Sequence, residues 1–186
     1  MAQEIEAKMR VADLDSMRKR LVGQGAVRAG SELETNIYFD TPGGSLRQSG
    51  KGLRIRIAVQ ESGENHCTMT FKGPLLPSEL KTREEIEFTI SDAQSAQQLL
   101  ERLGFPPTLT FEKRRETWQL GGCSVALDLL PYLGTYMEIE GPGDDQVMEV
   151  RRSLGLSEEP LISTAYVSLL ARYLQVHAIR DRHIRL

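Results

Sequence analysis

Cysteine is nearly absent from this chain: two in 186 residues, Cys67 and Cys123. They are too few and too far apart for a disulfide framework or a zinc site, so neither a stapled scaffold nor a zinc fold is expected. No apolar run approaches the roughly 20 residues a helix needs to cross a bilayer. The opening MAQEIEAK is acidic and alternating, unlike the cationic start and apolar centre of a secretory leader. An excess of one charge is missing too, with 23 Lys and Arg against 26 Asp and Glu. That near balance excludes the strongly basic surface of a nucleic-acid-binding module. The histidines His66, His177 and His183 are scattered, and no Ser/His/Asp arrangement for nucleophilic catalysis is legible. These absences leave a soluble, cytoplasmic chain with no nucleic-acid or membrane partner, long enough for one domain with a buried core.

What the sequence does have is an unusual alternation. In the opening stretch Glu4, Glu6, Lys8 and Arg10 interleave with Ile5, Ala7, Met9 and Val11. Residues two apart on a strand point the same way, roughly 6–7 Å from one another, so this strand has one wholly charged face and one wholly apolar face. The same pattern returns in Arg54-Ile55-Arg56, in Arg83, Glu85 and Glu87, and in Glu138-Ile139-Glu140. One such strand could be a solvated outer face. Several of mixed sign along one chain point to a single polar cavity lined by carboxylates and cations.

Asp13 is placed to cap a helix with Leu14, Met17, Leu21 and Val22 on one side, ended by Gly23 and Gly25. Strands follow at 35–40, 53–59, 68–72 and 83–90, the loop Gly73–Ser78 lying between the last two. Ser91 with Gln94 resembles a capping box for a helix with an apolar stripe of Leu99, Leu100 and Leu103, ended at Gly104. Three more strands are expected at 110–120, 124–129 and 135–140, then a helix capped near Asp144 and stopped at Gly155, and a last helix at 164–175. About eight strands joined by short turns predict an antiparallel sheet able to close round a small ligand. Trp118 and the tyrosines read as core, and Gly50-Lys51-Gly52 lacks the strand-loop-helix context of a phosphate loop.

The carboxylates Glu4, Glu6, Glu138 and Glu140, with Asp128 in the preceding strand and Glu85 and Glu87 as further candidates, are hard oxygen donors that suit Mg²⁺ or Mn²⁺. The cations are Lys8, Arg54, Arg56, Lys72, Arg83 and the run Lys113-Arg114-Arg115. Arg54 and Arg56 share a face, so two guanidinium forks can meet adjacent phosphoryl oxygens. Alternation sends Lys113 and Arg115 one way and Arg114 the other, and spacing alone does not say which is inward.

The segments E-I-E-A-K at 4–8, Y-F-D-T-P at 38–42, L-R-I-R at 53–56, F-K-G-P at 71–74 and K-T-R-E-E-I-E at 81–87 resemble the CYTH superfamily. E-K-R-R at 112–115, L-D-L-L-P-Y-L-G-T-Y-M-E-I-E-G at 127–141 and S-T-A-Y-V-S-L-L at 163–170 continue the match in order, most like the class IV adenylyl cyclase branch. The resemblance implies an α+β fold, an eight-stranded antiparallel β-barrel or tunnel with flanking helices. It places one domain at 1–176, followed by a basic tail, 177–186, either disordered or folded back over the barrel mouth. It implies a divalent-metal enzyme acting on ATP or another triphosphate, a cyclase or an inorganic or organic (thiamine-type) triphosphatase, with a non-catalytic nucleotide or polyphosphate binder as a third reading. Glu4, Glu6, Lys8 and Glu138 would be catalytic. Glu4, Glu6, Asp128, Glu138 and Glu140 would hold metal. Lys8, Arg54, Arg56, Lys72, Arg83, Lys113 and Arg115 would hold the triphosphate, with Glu85 and Glu87 as further tunnel carboxylates. Ser163-Thr164-Ala165-Tyr166 lacks the Lys that some branches carry there. Monomer and homodimer both stay open.

Overall fold

A sheet with one charged and one apolar face can bury both only by closing on itself and covering its outside. The structure, a computed structural model describing residues 2–186, does both. Its strands are β1 (Ala2–Arg10), β2 (Val27–Phe39), β3 (Gly52–Gln60), β4 (Asn65–Leu75), β5 (Lys81–Ile90), β6 (Pro107–Leu120), β7 (Cys123–Leu130), β8 (Gly134–Glu140) and β9 (His183–Ile184). The order β2-β3-β4-β5-β1-β8-β7-β6 returns from β6 to β2, with every neighbour antiparallel, which makes a closed eight-stranded barrel. The two-residue β9 adds in parallel to β6.

Around the barrel lie α1 (Leu14–Gly23), α2 (Ser45–Gln48), α3 (Ala93–Arg102), α4 (Asp144–Ser153) and α5 (Tyr166–Val176). The outward side chains Ala7, Met9, Met137 and Ile139 pack with Leu21 of α1 and with Val147 and Val150 of α4. Leu100 of α3 covers Phe39 and Ile55. Tyr166, Leu170 and Leu174 of α5 pack with Leu109, Phe111, Leu130 and Tyr136, where β6 and β8 begin and β7 finishes. The apolar core is therefore a shell outside the barrel, and the barrel's interior is left to the charged face. No helix among the described residues is long and apolar enough to cross a membrane.

Several boundaries differ from the sequence expectation for physical reasons. β2 begins at Val27, not at Thr35, because its pairing with β6 carries it through a bulge between Arg28 and Gly30. β4 runs on through Gly73 and Pro74 to Leu75, where proline lacks the N–H for a regular ladder and the register shifts. A short helix, α2, forms because the Asp40 carboxylate accepts the N–H groups of Leu46 and Arg47 as well as that of Thr41. Asp92, not Ser91, caps α3, accepting from the Gln94 N–H at 2.9 Å. Leu100 alone of the expected stripe is buried, with Leu99 and Leu103 exposed. Asp144 is the first residue of α4, and Gly143 takes the capping position.

Candidate functional site

The three strands that carry the opening motif and its partners set opposite charges side by side. β1 lies between β5 and β8, with Glu4 opposite Arg83, Glu6 opposite Lys81 and Lys8 opposite Glu138. Cross-strand ion pairs of this kind favour the register that makes them. The Lys8 ammonium lies 3.2 Å from both Glu6 and Glu138. Lys72 reaches Glu4 and Glu85, each at 2.7 Å, and Arg83 donates to Glu4 at 2.6 Å.

Across the tunnel Arg115 donates to Asp128 through Nε at 2.8 Å and Nη2 at 2.6 Å and also reaches Glu138. Lys113 donates to Asp128 at 3.2 Å, and Arg114 points outward and is exposed, which settles the direction of that run. Arg56 lies 3.0 Å from Glu34 and donates to Asn36, while Arg54 donates to Thr70 and Glu87. The structure thus gathers Glu4, Glu6, Lys8, Arg54, Arg56, Lys72, Arg83, Lys113, Arg115, Asp128 and Glu138 on one inner wall, nearly all buried. Glu85 is half-buried beside Lys72, and Glu87 is partly exposed beside Arg54.

Two charged residues that sequence reasoning missed complete the network. Glu34 is fully buried and faces Arg56, Lys113 and Arg115. Lys81 is buried 2.9 Å from Glu6. Glu32-Leu33-Glu34 is a further acidic pair at strand spacing, hidden by placing the start of β2 too late. Lys81 opens the K-T-R-E-E-I-E segment, two residues before Arg83 and on the same strand face. Tyr166, expected as core, lies under two tunnel cations, with Lys8 Nζ at 4.3 Å and Lys113 Nζ at 5.4 Å from its ring centre.

Burial and charge compete at each group. Burial would raise the Glu4 carboxyl, but Lys72, Lys81 and Arg83 hold it far below the usual range. Glu34 and Glu138 are held low in the same way, against burial, Glu34 chiefly by Lys113 and Arg56 and Glu138 by Lys8 and Arg115. Burial wins at Lys81 and Lys113, whose ammonium groups are pushed down despite their carboxylate neighbours. Removing an ion from water costs several kcal/mol, and an apolar filling is often as stable or more so. A charged interior on this scale is therefore a poor route to stability and a good one to a polar ligand. Glu6 Oε1 and Glu34 Oε1 are held by ion pairs without a hydrogen bond, and Arg54 Nε, Thr68 Oγ1 and the Tyr166 hydroxyl are buried without hydrogen-bond partners, as is Arg151 Nε on α4 outside the tunnel.

Among the described residues no three Asp, Glu, His or Cys side chains converge as a ready-made metal cage. Mg²⁺ needs none, since one or two carboxylates, substrate phosphates and water suffice. The hard oxygens of Glu4, Glu6, Glu138 and Glu140 fit that requirement, with Glu6 and Glu140 directly opposite on paired strands. Asp128 is engaged by Arg115 and Lys113, as Glu4 is by Lys72 and Arg83. Glu140 stands exposed at the strand end. Lost hydration against the wall, then the charges of Glu4 and Glu6, push its carboxyl up to about 7. Its tip reaches water, so hydration is only partly lost, and the repulsion of Glu4 and Glu6 acts beside it. The native state then binds more protons than the unfolded chain between the ordinary glutamate value and about 7, so stability falls as pH rises through that window. Glu140→Gln is expected to raise the metal-free melting temperature at pH 8 and leave it unchanged at pH 4. Equal shifts at both pH values would show that Glu140 carries no such strain.

The family model of the CYTH domain matches residues 2–166. Adenylate cyclase CyaB of Aeromonas hydrophila is 31% identical over 185 residues, covering 94% of this chain and 92% of that protein. A solved structure from Pyrococcus horikoshii superposes with a TM-score of 0.81 at 29% identity, covering 91% of this chain and 99% of the other. The Hippeastrum protein HpAC1, described as revealing a dominant triphosphatase activity, shares the fold with a TM-score of 0.68 at 19% identity, covering 91% of this chain and 96% of its own.

Proposed function

The chain belongs to the CYTH domain family, whose enzymes are divalent-metal-dependent adenylyl cyclases or triphosphatases, and on that premise we propose that it converts ATP to cyclic AMP and pyrophosphate. The observation that carries the reading is the paired state of the tunnel's cations. Lys8, Arg54, Arg56, Lys72, Lys81, Arg83, Lys113 and Arg115 each lie within 4.0 Å of a carboxylate. The tunnel has cation forks in place for phosphoryl oxygens but no surplus of positive charge for a polyanion. A triphosphate entering it needs positive charge brought along with it.

Glu4, Glu6 and Glu138, with Glu140 at the rim, are the carboxylates that would hold Mg²⁺ or Mn²⁺. Such an ion supplies charge neutralisation and Lewis acidity toward the phosphoryl oxygens. Arg54, Arg56, Lys72, Lys113 and Arg115 exchange part of their carboxylate contacts for phosphoryl oxygens, and Lys8 and Arg83 complete the grip. Asp128 keeps Arg115 in a fixed fork, so the guanidinium is oriented before the substrate arrives. In the cyclase the 3′-hydroxyl attacks the α-phosphorus in line and pyrophosphate leaves. In a triphosphatase water attacks the terminal phosphorus from the same bound chain. The fold shared with HpAC1 keeps that second reading in view.

The test is incubation with ATP and, separately, with tripolyphosphate in Mg²⁺ or Mn²⁺. Cyclic AMP with pyrophosphate from ATP is the expected product. Orthophosphate from either substrate makes the chain a triphosphatase. Tight binding without turnover makes it a binding module.

A further inference from the structure

The barrel opens, where β2 and β4 finish and β3 and β6 begin, into a cavity of about 760 Å³. Along β3 the inward row runs Arg56, Arg54, Gly52, and the glycine stands opposite Lys72 in register. Gly52 lines the cavity, and so do Lys72 and Arg83 of the tunnel wall. Tyr38, Leu53, Leu109 and Val167 supply apolar wall. Arg47, Lys51 and Arg182 supply exposed rim cations. Arg182 is delivered by the C-terminal segment, whose Ile184 is buried and whose Arg182 carbonyl accepts the Thr110 N–H at 2.8 Å.

The rim differs from the tunnel in its charge balance. Among the described residues Arg47, Lys51 and Arg182 make no ion pair, whereas each tunnel cation has a carboxylate. The acid among the lining residues, Asp40, has its oxygens engaged by the backbone N–H groups that start α2. The vestibule is thus apolar-walled and carries a net positive charge, its three rim cations outnumbering Asp40, whose carboxylate feels Arg47.

We infer that this vestibule selects triphosphate esters by the charge of their organic group, taking a neutral aromatic group, as in a nucleoside triphosphate, and rejecting a cationic one, as in thiamine triphosphate. The inference rests on reading the tunnel as a triphosphate site. A nucleobase gains apolar wall and the face of a rim guanidinium. A thiazolium ring meets the net like charge of the rim instead, and several such repulsions in a partly hydrated cavity add to about tenfold or more in affinity.

The experiment is competition of ATP, thiamine triphosphate and tripolyphosphate against a fluorescent nucleoside triphosphate in Mg²⁺, read seconds after mixing with the full chain. ATP is expected to compete at least about tenfold better than thiamine triphosphate, with the ratio shrinking as salt shortens the Debye length from about 10 Å toward 3 Å. Arg47→Glu, Lys51→Glu and Arg182→Glu combined should bring the ratio below about threefold. All three positions are exposed; should the triple variant not fold, the wild-type ratio and its salt dependence decide alone. Equal competition by the two esters, or a ratio unmoved by salt and by charge reversal, overturns the inference while tripolyphosphate competition keeps the tunnel reading. If none of the three competes, the tunnel reading fails and the vestibule inference falls with it.

Discussion

Arg54→Ala or Arg56→Ala weakens triphosphate binding and turnover by about 2–4 kcal/mol, roughly 30- to 900-fold, the scale of removing one partner from a buried charge-assisted contact. The fold should survive either change. Glu34, which loses Arg56, keeps Lys113 at 3.4 Å and Arg115 at 3.6 Å. Glu87, which loses Arg54, keeps the Thr70 hydroxyl at 2.7 Å. Lysine at either site should rescue only in part, because it restores the charge and not the planar fork. The control is the residue between them. Ile55 is fully buried beneath Leu100 on the outer face, so Ile55→Ala should cost about 2–5 kcal/mol in denaturant unfolding and leave triphosphate affinity nearly unchanged. If both arginine variants bind and turn over triphosphate like wild type, the inner wall is not the substrate site.

Glu6→Gln and Glu138→Gln should each lower turnover at least about tenfold, and excess chelator should abolish it, since these carboxylates face a polyanion that needs a metal beside it. Both residues are buried, yet neither substitution leaves a cation alone. Without Glu6, Lys8 keeps Glu138 at 3.2 Å and Lys81 keeps Glu4 at 3.9 Å. Without Glu138, Lys8 keeps Glu6 and Arg115 keeps both oxygens of Asp128. Circular dichroism and melting should show folded protein in both cases. Full activity in chelator would remove the metal from the reading, and unfolding of either variant would make the network structural.

The barrel was legible because its strands invert the usual pattern, and the alternation that places Glu4, Glu6 and Lys8 together can be read without neighbours. The same rule placed Arg54 with Arg56 and left Ile55 for the outer shell. What alternation could not supply was the far side of each pairing. Glu34 became part of the site only through β6, whose Lys113 stands opposite it in register, and a register between distant strands has no local signature. The mouth was illegible for a related reason: Arg47 and Lys51 come from one stretch of chain and Arg182 from another far along it. The cap at Asp92 was missed because Ser91 one residue earlier carries an equally good local signal.

Because β1 is bonded to β5 on one side and β8 on the other, the earliest of the barrel strands along the chain is among the last to be enclosed. At about 5–20 residues per second, the ribosome releases β8 seconds after β1. Through that interval one edge of β1 lacks its partner, and its apolar face has no α4 to cover it. The charged face that later lines the tunnel then serves another purpose. The hydrated charges of Glu6 and Lys8 make it costly to bury that strand against another chain until the chain's own last barrel strand arrives. Closure also joins β2 to β6 across a long stretch of sequence, so the nascent barrel pays a large loop-closure entropy before its final ladders form, and slow refolding follows from the same topology that shapes the tunnel.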